Sequence, residues 1–506
     1  MELVPAHSYQ ADTSFDGGDL DCGNGLLLLI RRHIDPMQPG QVLEILSNEV
    51  SVEEDLPAWC RLTSNRLLSW TRNGKQRSFL LCKGQEVASV RSVNSGPSAL
   101  PRLERVEVKA PSHLPAPSTA PAVPDLAVTG IGSWPRPRWM LQAVHEQMEG
   151  RLSEEEFQAT ANDAVRLVVD AQIRSGANII TDGEQRRDSY ASFVGGRLDN
   201  CQLIPLSDLS AMVDEPEKFQ AELRALDVPA DQVRHPVVYG PLGRTKPLAV
   251  HELDFLKTLT DKPIKIALPG PYLLTRTMWL DCLSDRYYQD RETLATDIAR
   301  VLREEAHHLL AQGASLVQFD EPVLTEVVFS GPKSTRSFMC GALSERGEAS
   351  HELGFARELL QEVTRGLPAE RLALHLCRGN WTQDEATLLR GDYRPLLDYL
   401  TTIPVGNLFL EFATERAGSL QLIKQIPEHY RVGIGLVNPK RLTVETVEEI
   451  LPKAQEAYQL LGNHRMLLTP DCGFATFADN PVTSQAAAEG KLRTLAECAQ
   501  ELFSGP

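Results

Sequence analysis

Ser315-Leu316-Val317-Gln318-Phe319-Asp320-Glu321-Pro322 is a short, mostly apolar run that stops at two acids and a proline. Following the long amphipathic segment at 292–312, it reads as a buried strand whose carboxyl end carries polar groups. The same unit recurs in Ala127-Val128-Thr129, Asn178-Ile179-Ile180, Lys265-Ile266-Ala267-Leu268, Leu372-Ala373-Leu374, Leu408-Phe409-Leu410, Val432-Gly433-Ile434 and Met466-Leu467-Leu468. Amphipathic helical segments at 154–175, 292–312, 355–364, 444–461 and 484–502 lie between most of them. Strands alternating with helices in this way predict an α/β fold, a (β/α)8 TIM barrel over residues 125–506. An open doubly wound sheet is the runner-up, but no Gly-x-Gly-x-x-Gly opens any of the helices.

Upstream, Pro97, Pro101, Pro111, Pro115, Pro117, Pro121 and Pro124 punctuate a stretch poor in large apolar groups. Such a stretch cannot bury enough surface to fold, so residues 87–124 read as a Pro-rich, semi-extended linker. Residues 10–86 make a small two-layer α+β unit of their own. Helices are predicted over 25–32 and 51–62, the second with a capping-box pattern in Ser51-Val52-Glu53-Glu54. A strand is predicted over 41–46 and a closing hairpin around Asn73-Gly74.

A chain of 506 residues can bury a large core. Its formal charge of -17 argues against nucleic acid or an anionic membrane as partner, since both select basic faces. No apolar run approaches the roughly 18 residues of a membrane-spanning helix. The first residues lack the basic start and apolar core of an export signal. Nine cysteines, an odd number scattered over a long chain, do not resemble a disulfide framework. The expectation is a reduced, cytoplasmic protein in which Cys201, Cys282, Cys340 and Cys498 are core thiols, as are Cys60 and Cys82 unless one of them resolves Cys22.

In a (β/α)8 fold the reacting groups collect at the carboxyl ends of the strands. Those ends read Gly132-Ser133, Asp182-Gly183-Glu184, Pro269-Gly270-Pro271, Asp320-Glu321-Pro322, His375-Leu376-Cys377, Glu411, Asn438 and Asp471-Cys472-Gly473. An imidazole and two thiolates arriving from separate strands suit Zn2+ with a position left open for substrate. A reduced cluster of buried thiols is the plain alternative. Glu411 either joins the metal or caps the next helix, and Asp182 and Glu321 read as ordinary helix-start carboxylates.

Six motifs carry a resemblance: Thr129-Gly130-Ile131-Gly132-Ser133-Trp134-Pro135, Asp182-Gly183-Glu184, Gln318-Phe319-Asp320-Glu321-Pro322, His375-Leu376-Cys377, Leu410-Glu411 and Pro470-Asp471-Cys472-Gly473-Phe474. They occur in the order found in the cobalamin-independent methionine synthase (MetE) family, and the region from 125 onward resembles its catalytic barrel. The resemblance implies a zinc-dependent methyltransferase that moves a methyl group to a thiol, with homocysteine as acceptor and methionine as product. It implies His375, Cys377, Glu411 and Cys472 as zinc ligands, and Ser133, Glu184 and Asp320 as homocysteine contacts. Coordination to zinc would turn a thiol of pKa about 8.5 into a thiolate at neutral pH. Short relatives of the family include folate-independent synthases and alkyl transferases acting on coenzyme M, so another small thiol is the rival acceptor.

The seventh strand departs from the family pattern. It reads Gly433-Ile434-Gly435-Leu436-Val437-Asn438-Pro439-Lys440, without the Asp and the basic residue expected there. Methyltetrahydrofolate is a poor donor unless its leaving nitrogen is protonated. The methyl donor is therefore read as a folate served by Lys440, or as a corrinoid, free or protein-bound, that needs no acid. Residues 16–84 resemble the TusA/SirA-like sulfur carriers through Asp21-Cys22, Pro39-Gly40-Gln41-Val42-Leu43-Glu44-Ile45 and Lys83-Gly84. That family's Cys-Pro-x-Pro turn is here Cys22-Gly23-Asn24-Gly25. A cysteine at a helix start has a lowered pKa, which makes Cys22 the candidate persulfide and implies a sulfurtransferase partner. The alternatives are a structural docking module and a sulfur-relay binding protein without catalysis.

Overall fold

The computed structural model describes residues 7, 9–18, 20, 25–63, 65–84, 107–148, 151–205, 234–279, 284, 287–329, 347–380, 382–383, 389–478 and 482–504. The chain divides into two compact units. The first is Met1–Val106 with Met148–Arg151 and Ser207–Pro216; the second is Glu107–Gln147, Leu152–Leu206 and Glu217–Pro506.

In the first unit, β1 (Thr13–Asp16), β2 (Val42–Ser47), β3 (Arg66–Asn73) and β4 (Gln76–Cys82) form a four-stranded sheet in the order β1-β2-β4-β3. β1 and β2 run parallel and are joined through the helix Leu26–Ile34, while β4 is antiparallel to both of its neighbours. The hairpin's two loop residues are Gly74 and Lys75, with Asn73 paired to Gln76; Gly74 supplies the positive φ of 63°. The capping box expected at Ser51 does not form. Ser51 has helical angles (φ -61°, ψ -23°), so its hydroxyl caps nothing, and its N–H donates to Glu49 Oε1 at 3.1 Å.

In the second unit, β5 (Asp199–Pro205) and β6 (Arg234–Gly243) make an antiparallel pair that no sequence signal marked. The main sheet holds β7 (Lys265–Pro269), β8 (Leu316–Asp320), β9 (Leu372–Leu376), β10 (Asn407–Glu411), β11 (Arg431–Val437) and β12 (Met466–Pro470). All six run parallel, and each pairs with its neighbour in chain order. A doubly wound sheet reverses its strand order, and this one does not. The two earliest predicted strands are single parallel bridges: Val128 to Leu468, Thr129 to Ile179, and Ile180 to Ile264 beside β7. Asn178 Oδ1 accepts the Val128 N–H at 2.9 Å, so a side chain takes a ladder bond and interrupts the strand.

The five expected helices form as Glu154–Arg174, Arg291–Ala311, Ala349–Thr364, Val447–Arg465 and Gln485–Ser504. A capping box does form at Ser153 and Glu156, where Ser153 is extended and its hydroxyl is free to turn inward. Short helices at Pro271–Thr277 and Val323–Phe329 follow β7 and β8 directly.

The linker boundary at 124 moves. Residues from Glu107 belong to the second unit, although they form no regular element. The Ser118 N–H donates to Leu310 O at 3.1 Å, Ser315 Oγ donates to Pro121 O at 2.8 Å, and His307 Nδ1 meets Pro115 O at 3.0 Å. Extended proline-rich chain leaves its backbone groups unpaired, and the helices and strand ends capture them. Among the described residues no helix is long and apolar enough to cross a membrane. Cys60, Cys82, Cys201 and Cys498 are buried and in no disulfide, as expected; Cys282 and Cys340 lie outside the described residues.

Candidate active site

Alternation along the strands decides which side chains meet. Leu316, Ala373, Phe409 and Leu467 pack with Ala127, Ile131 and Ile179 in one small cluster. Their neighbours Val317, Phe319, Leu372, Leu374, Leu408, Leu410, Met466 and Leu468 join the large core. Successive strand residues point to opposite faces. Gln318, Asp320, His375 and Glu411 therefore share the face of the small cluster, with Cys377 one step beyond β9.

The ligand atoms of His375, Cys377 and Cys472 all lie within 4.8 Å of one another, and all three residues are buried. Asp320 Oδ1 binds His375 Nδ1 at 2.8 Å, while His375 Nε2 has no protein partner. A carboxylate on Nδ1–H leaves the Nε2 lone pair for a metal. The two thiols differ sharply. A hydrogen bond from Cys472, aided by His375, lowers the pKa of Cys377 against its burial. The same bond and burial raise Cys472 well above its usual value. Two cysteine sulfurs and an imidazole nitrogen with no protein partner form a donor set that fits zinc.

Glu411 stands outside that three-residue group. Its Oε1 accepts the Arg378 N–H at 3.1 Å and Asn380 Nδ2, and its Oε2 accepts from Arg378 Nη1 at 3.4 Å and Arg416 Nη2 at 3.5 Å. Burial alone would raise its pKa, but Arg416, Arg378 and Lys440 outweigh burial and hold it below the ordinary carboxylate value.

Ser133, Glu184 and Asp320 line the same cleft as the three soft donors. The Ser133 hydroxyl accepts the Ala475 N–H at 3.3 Å and its carbonyl accepts the Phe474 N–H at 2.9 Å, which pins two loops together. Gly473 permits this, since a Cβ there would stand 2.2 Å from Ser133 Oγ. Glu184 has a left-handed backbone (φ 55°), and its N–H donates to Asp182 Oδ1 at 2.9 Å. Its Oε2 is buried without a partner, and burial pushes its pKa up to about 7 against the pull of Arg187.

Asp182 thus serves the local backbone. Glu321 caps a neighbouring helix, its oxygens accepting the N–H groups of Tyr272 and Leu273 at 2.7 and 2.9 Å. Asn438 Oδ1 accepts the Lys440 N–H at 3.0 Å, and Lys440 Nζ donates to Asn380 Oδ1 at 2.7 Å. Asn380 also lines the cleft, as do Tyr190, Glu326 and Thr476, none of which sequence reasoning singled out. They sit on loops or short helices after strands, where no periodicity operates. Only the closeness of Asn380 to Cys377 in the chain was a signal. Cys22 lies outside the described residues.

The chain matches the family described as "Cobalamin-independent synthase, Catalytic domain" over residues 126–347 and 361–499. The methionine synthase of Saccharolobus solfataricus is 26% identical over 353 residues, spanning 69% of this chain and 89% of that protein. The methionine synthase of Sulfurisphaera tokodaii is 25% identical over 352 residues, spanning 69% and 86%. Two solved structures share the fold. A B12-independent methionine synthase from Shewanella sp. W3-18-1, in complex with selenomethionine, aligns with a TM-score of 0.57 at 23% identity, covering 75% of this chain and 98% of that one. A putative vitamin-B12 independent methionine synthase from Listeria monocytogenes aligns with a TM-score of 0.53 at 19% identity, covering 76% and 99%. The chain belongs to the cobalamin-independent synthase catalytic-domain family and is an enzyme, a methyltransferase of the methionine synthase type.

Proposed function

We propose that this member of the family transfers a methyl group to a zinc-bound thiol, homocysteine, giving methionine. The observation that carries the proposal is a single cleft in which His375, Cys377 and Cys472 gather beside Ser133, Glu184 and Asp320. His375 through Nε2, Cys377, Cys472 and Glu411 would hold the metal, and when bound it supplies the charge that keeps a substrate thiol ionised near neutral pH. Glu184 Oε2 accepts the α-ammonium, and Ser133 with the backbone around it holds the α-carboxylate. Asp320 keeps His375 in register. Coenzyme M has no ammonium for Glu184, which favours homocysteine as acceptor.

Glu184 is ionised only above about 7, because burial disfavours its charge. An ammonium binds the charged form, so KM for homocysteine should fall as pH rises towards 7, by about tenfold per unit. Above that pH it levels off. Glu184→Gln should raise KM and remove this dependence. A wild-type KM that is flat below neutrality would remove Glu184 from this role.

The acid expected at the end of β11 is replaced by Asn438, whose Oδ1 is taken by the Lys440 N–H, while Lys440 Nζ is engaged by Asn380. We assign the donor as a methylated corrinoid, free or protein-bound, which needs no proton on its leaving group. The zinc-loaded protein should form methionine from homocysteine faster with methylcobalamin than with methyltetrahydrofolate at equal concentration. The reverse order would give the acid's role to Lys440, and no methionine from either donor would reject the function.

In this proposal the bridges that run from β12 through Val128, Thr129, Ile179 and Ile180 to Ile264 close the sheet into a (β/α)8 barrel, in the reducing cytoplasm. The β-α-β-α-β-β order of the first unit supports a TusA-like sulfur carrier, with Cys22 as its persulfide cysteine and a sulfurtransferase as its source.

A further inference from the structure

β12 ends at Pro470, so Cys472 stands beyond the ladder and no strand pairing places it. Its flanks do. On one side Ser133 accepts the Phe474 and Ala475 N–H groups through its carbonyl and hydroxyl. On the other, the buried Asp471 reaches across the sheet. Its Oδ1 accepts the Phe412 N–H at 2.9 Å and the Ala413 N–H at 2.8 Å, from the two residues that follow Glu411 out of β10. β10 and β12 are not neighbours, because β11 lies between them. Gly435 of β11 opens the way: a Cβ there would stand 2.2 Å from Asp471 Oδ1 and 2.9 Å from Asp471 Cα. The register of β11 on β12 also shifts between Gly435 and Val437, the kind of irregularity that re-aims a chain beside a functional site. Past that shift the Asp471 N–H donates to Val437 O at 3.0 Å. That single bond would let the turn pivot, and the two on Oδ1 stop it.

We propose that Asp471 is a positioning residue whose carboxylate ties the peptide ahead of Cys472 to the end of β10, and so sets the Cys472 sulfur opposite His375 and Cys377 for the metal. Donors on two strands that do not touch are brought to one ion by a side chain passing over a glycine. Asp471 itself stands outside the three-residue donor group, and Oδ1 is filled by two N–H groups, so it acts through Cys472. This rests on the zinc assignment made above.

Metal binding to the full chain tests it. Asp471→Ala should weaken zinc binding by about 10–100-fold, the usual loss when a metal ligand's supporting partner is removed. With Co2+ in place of zinc, its sulfur-to-metal charge-transfer absorption should fall to about half, one thiolate remaining of two. Losing Glu411 instead would leave the sulfur bands intact. Asp471→Asn keeps an oxygen that the two N–H groups orient, and should bind both ions like the wild type. Unchanged affinity and sulfur bands in Asp471→Ala would overturn the proposal. So would an Asp471→Asn protein as impaired as Asp471→Ala, since the charge and not the tie would then matter. A wild type that binds neither ion would reject the zinc assignment and this proposal with it, whereas unchanged variants of a protein that does bind zinc reject the proposal alone. Should Asp471→Ala fail to fold, Asp471→Ser decides by the same readouts, because its oxygen stops one bond short of both N–H groups.

Discussion

Replacing Cys377 or Cys472 with serine is expected to remove zinc and methyl transfer together while the fold survives. Serine has nearly the size of cysteine, but its hydroxyl stays protonated and is a poor zinc ligand. Loss of a direct ligand should cost more than the roughly 10–100-fold seen when an outer partner is lost. Without the metal a substrate thiol of pKa about 8.5 is only some 3% ionised at pH 7, so the nucleophile disappears as well. The fold should persist because these cysteines lie beyond the ends of β9 and β12, whereas the strands are held by Leu374, Leu376, Met466 and Leu468 in the large core. Metal content by mass spectrometry, with methionine formation measured on the same samples, checks this. A serine variant with full zinc and full activity would disprove the assignment.

Arg187→Leu should destabilise the protein by about 3–5 kcal/mol, as expected when one member of a buried ion pair is removed and the other is stranded. Arg187 is buried and donates to Glu252 at 3.1 Å through Nε and at 2.5 Å through Nη2, and Nη1 donates to Ala267 O at 2.9 Å. Glu184 lies 3.9 Å away, and Asp182 also adds to the negative field that Arg187 offsets. Leucine fills much of the space but leaves Glu252 charged and dry. Adding Glu252→Leu should recover much of the loss, because a well-packed apolar pair often replaces a buried ion pair without penalty. Urea denaturation of the three variants measures both effects. A single variant within about 1 kcal/mol of wild type would show that Arg187 is not holding this cluster. In the single variant Glu184 loses the cation that opposes its burial, so the pH at which homocysteine binding tightens should move upward.

Much of the site was legible in advance because a strand has a simple period and a defined end. His375 and Cys377 are two apart, hence on one face, and Cys472 follows the end of another strand in the same sheet. Ser133, Glu184 and Asp320 reached the same cleft for the same reason, each following a short apolar run. The errors lie where local pattern competes with neighbours remote in sequence. Ser51 has the letters of a capping box but a helical backbone, so its hydroxyl cannot cap. Residues 107–124 have the composition of a free linker, yet their backbone groups find partners in residues far along the chain.

The sequence by itself determined the order of the six main strands and of the long helices, the period that sorts core from cleft, and the kinds of donor at each strand end. These depend on neighbours within a few residues. The tertiary structure alone decided what each group is bonded to. It put Asp320 on His375, Glu411 among Arg378, Asn380 and Arg416, and Lys265 beneath Gln318. Those partners come from different strands and loops. Which hydrogen bond a buried side chain makes depends on the packing of the whole sheet, and no local window contains that information.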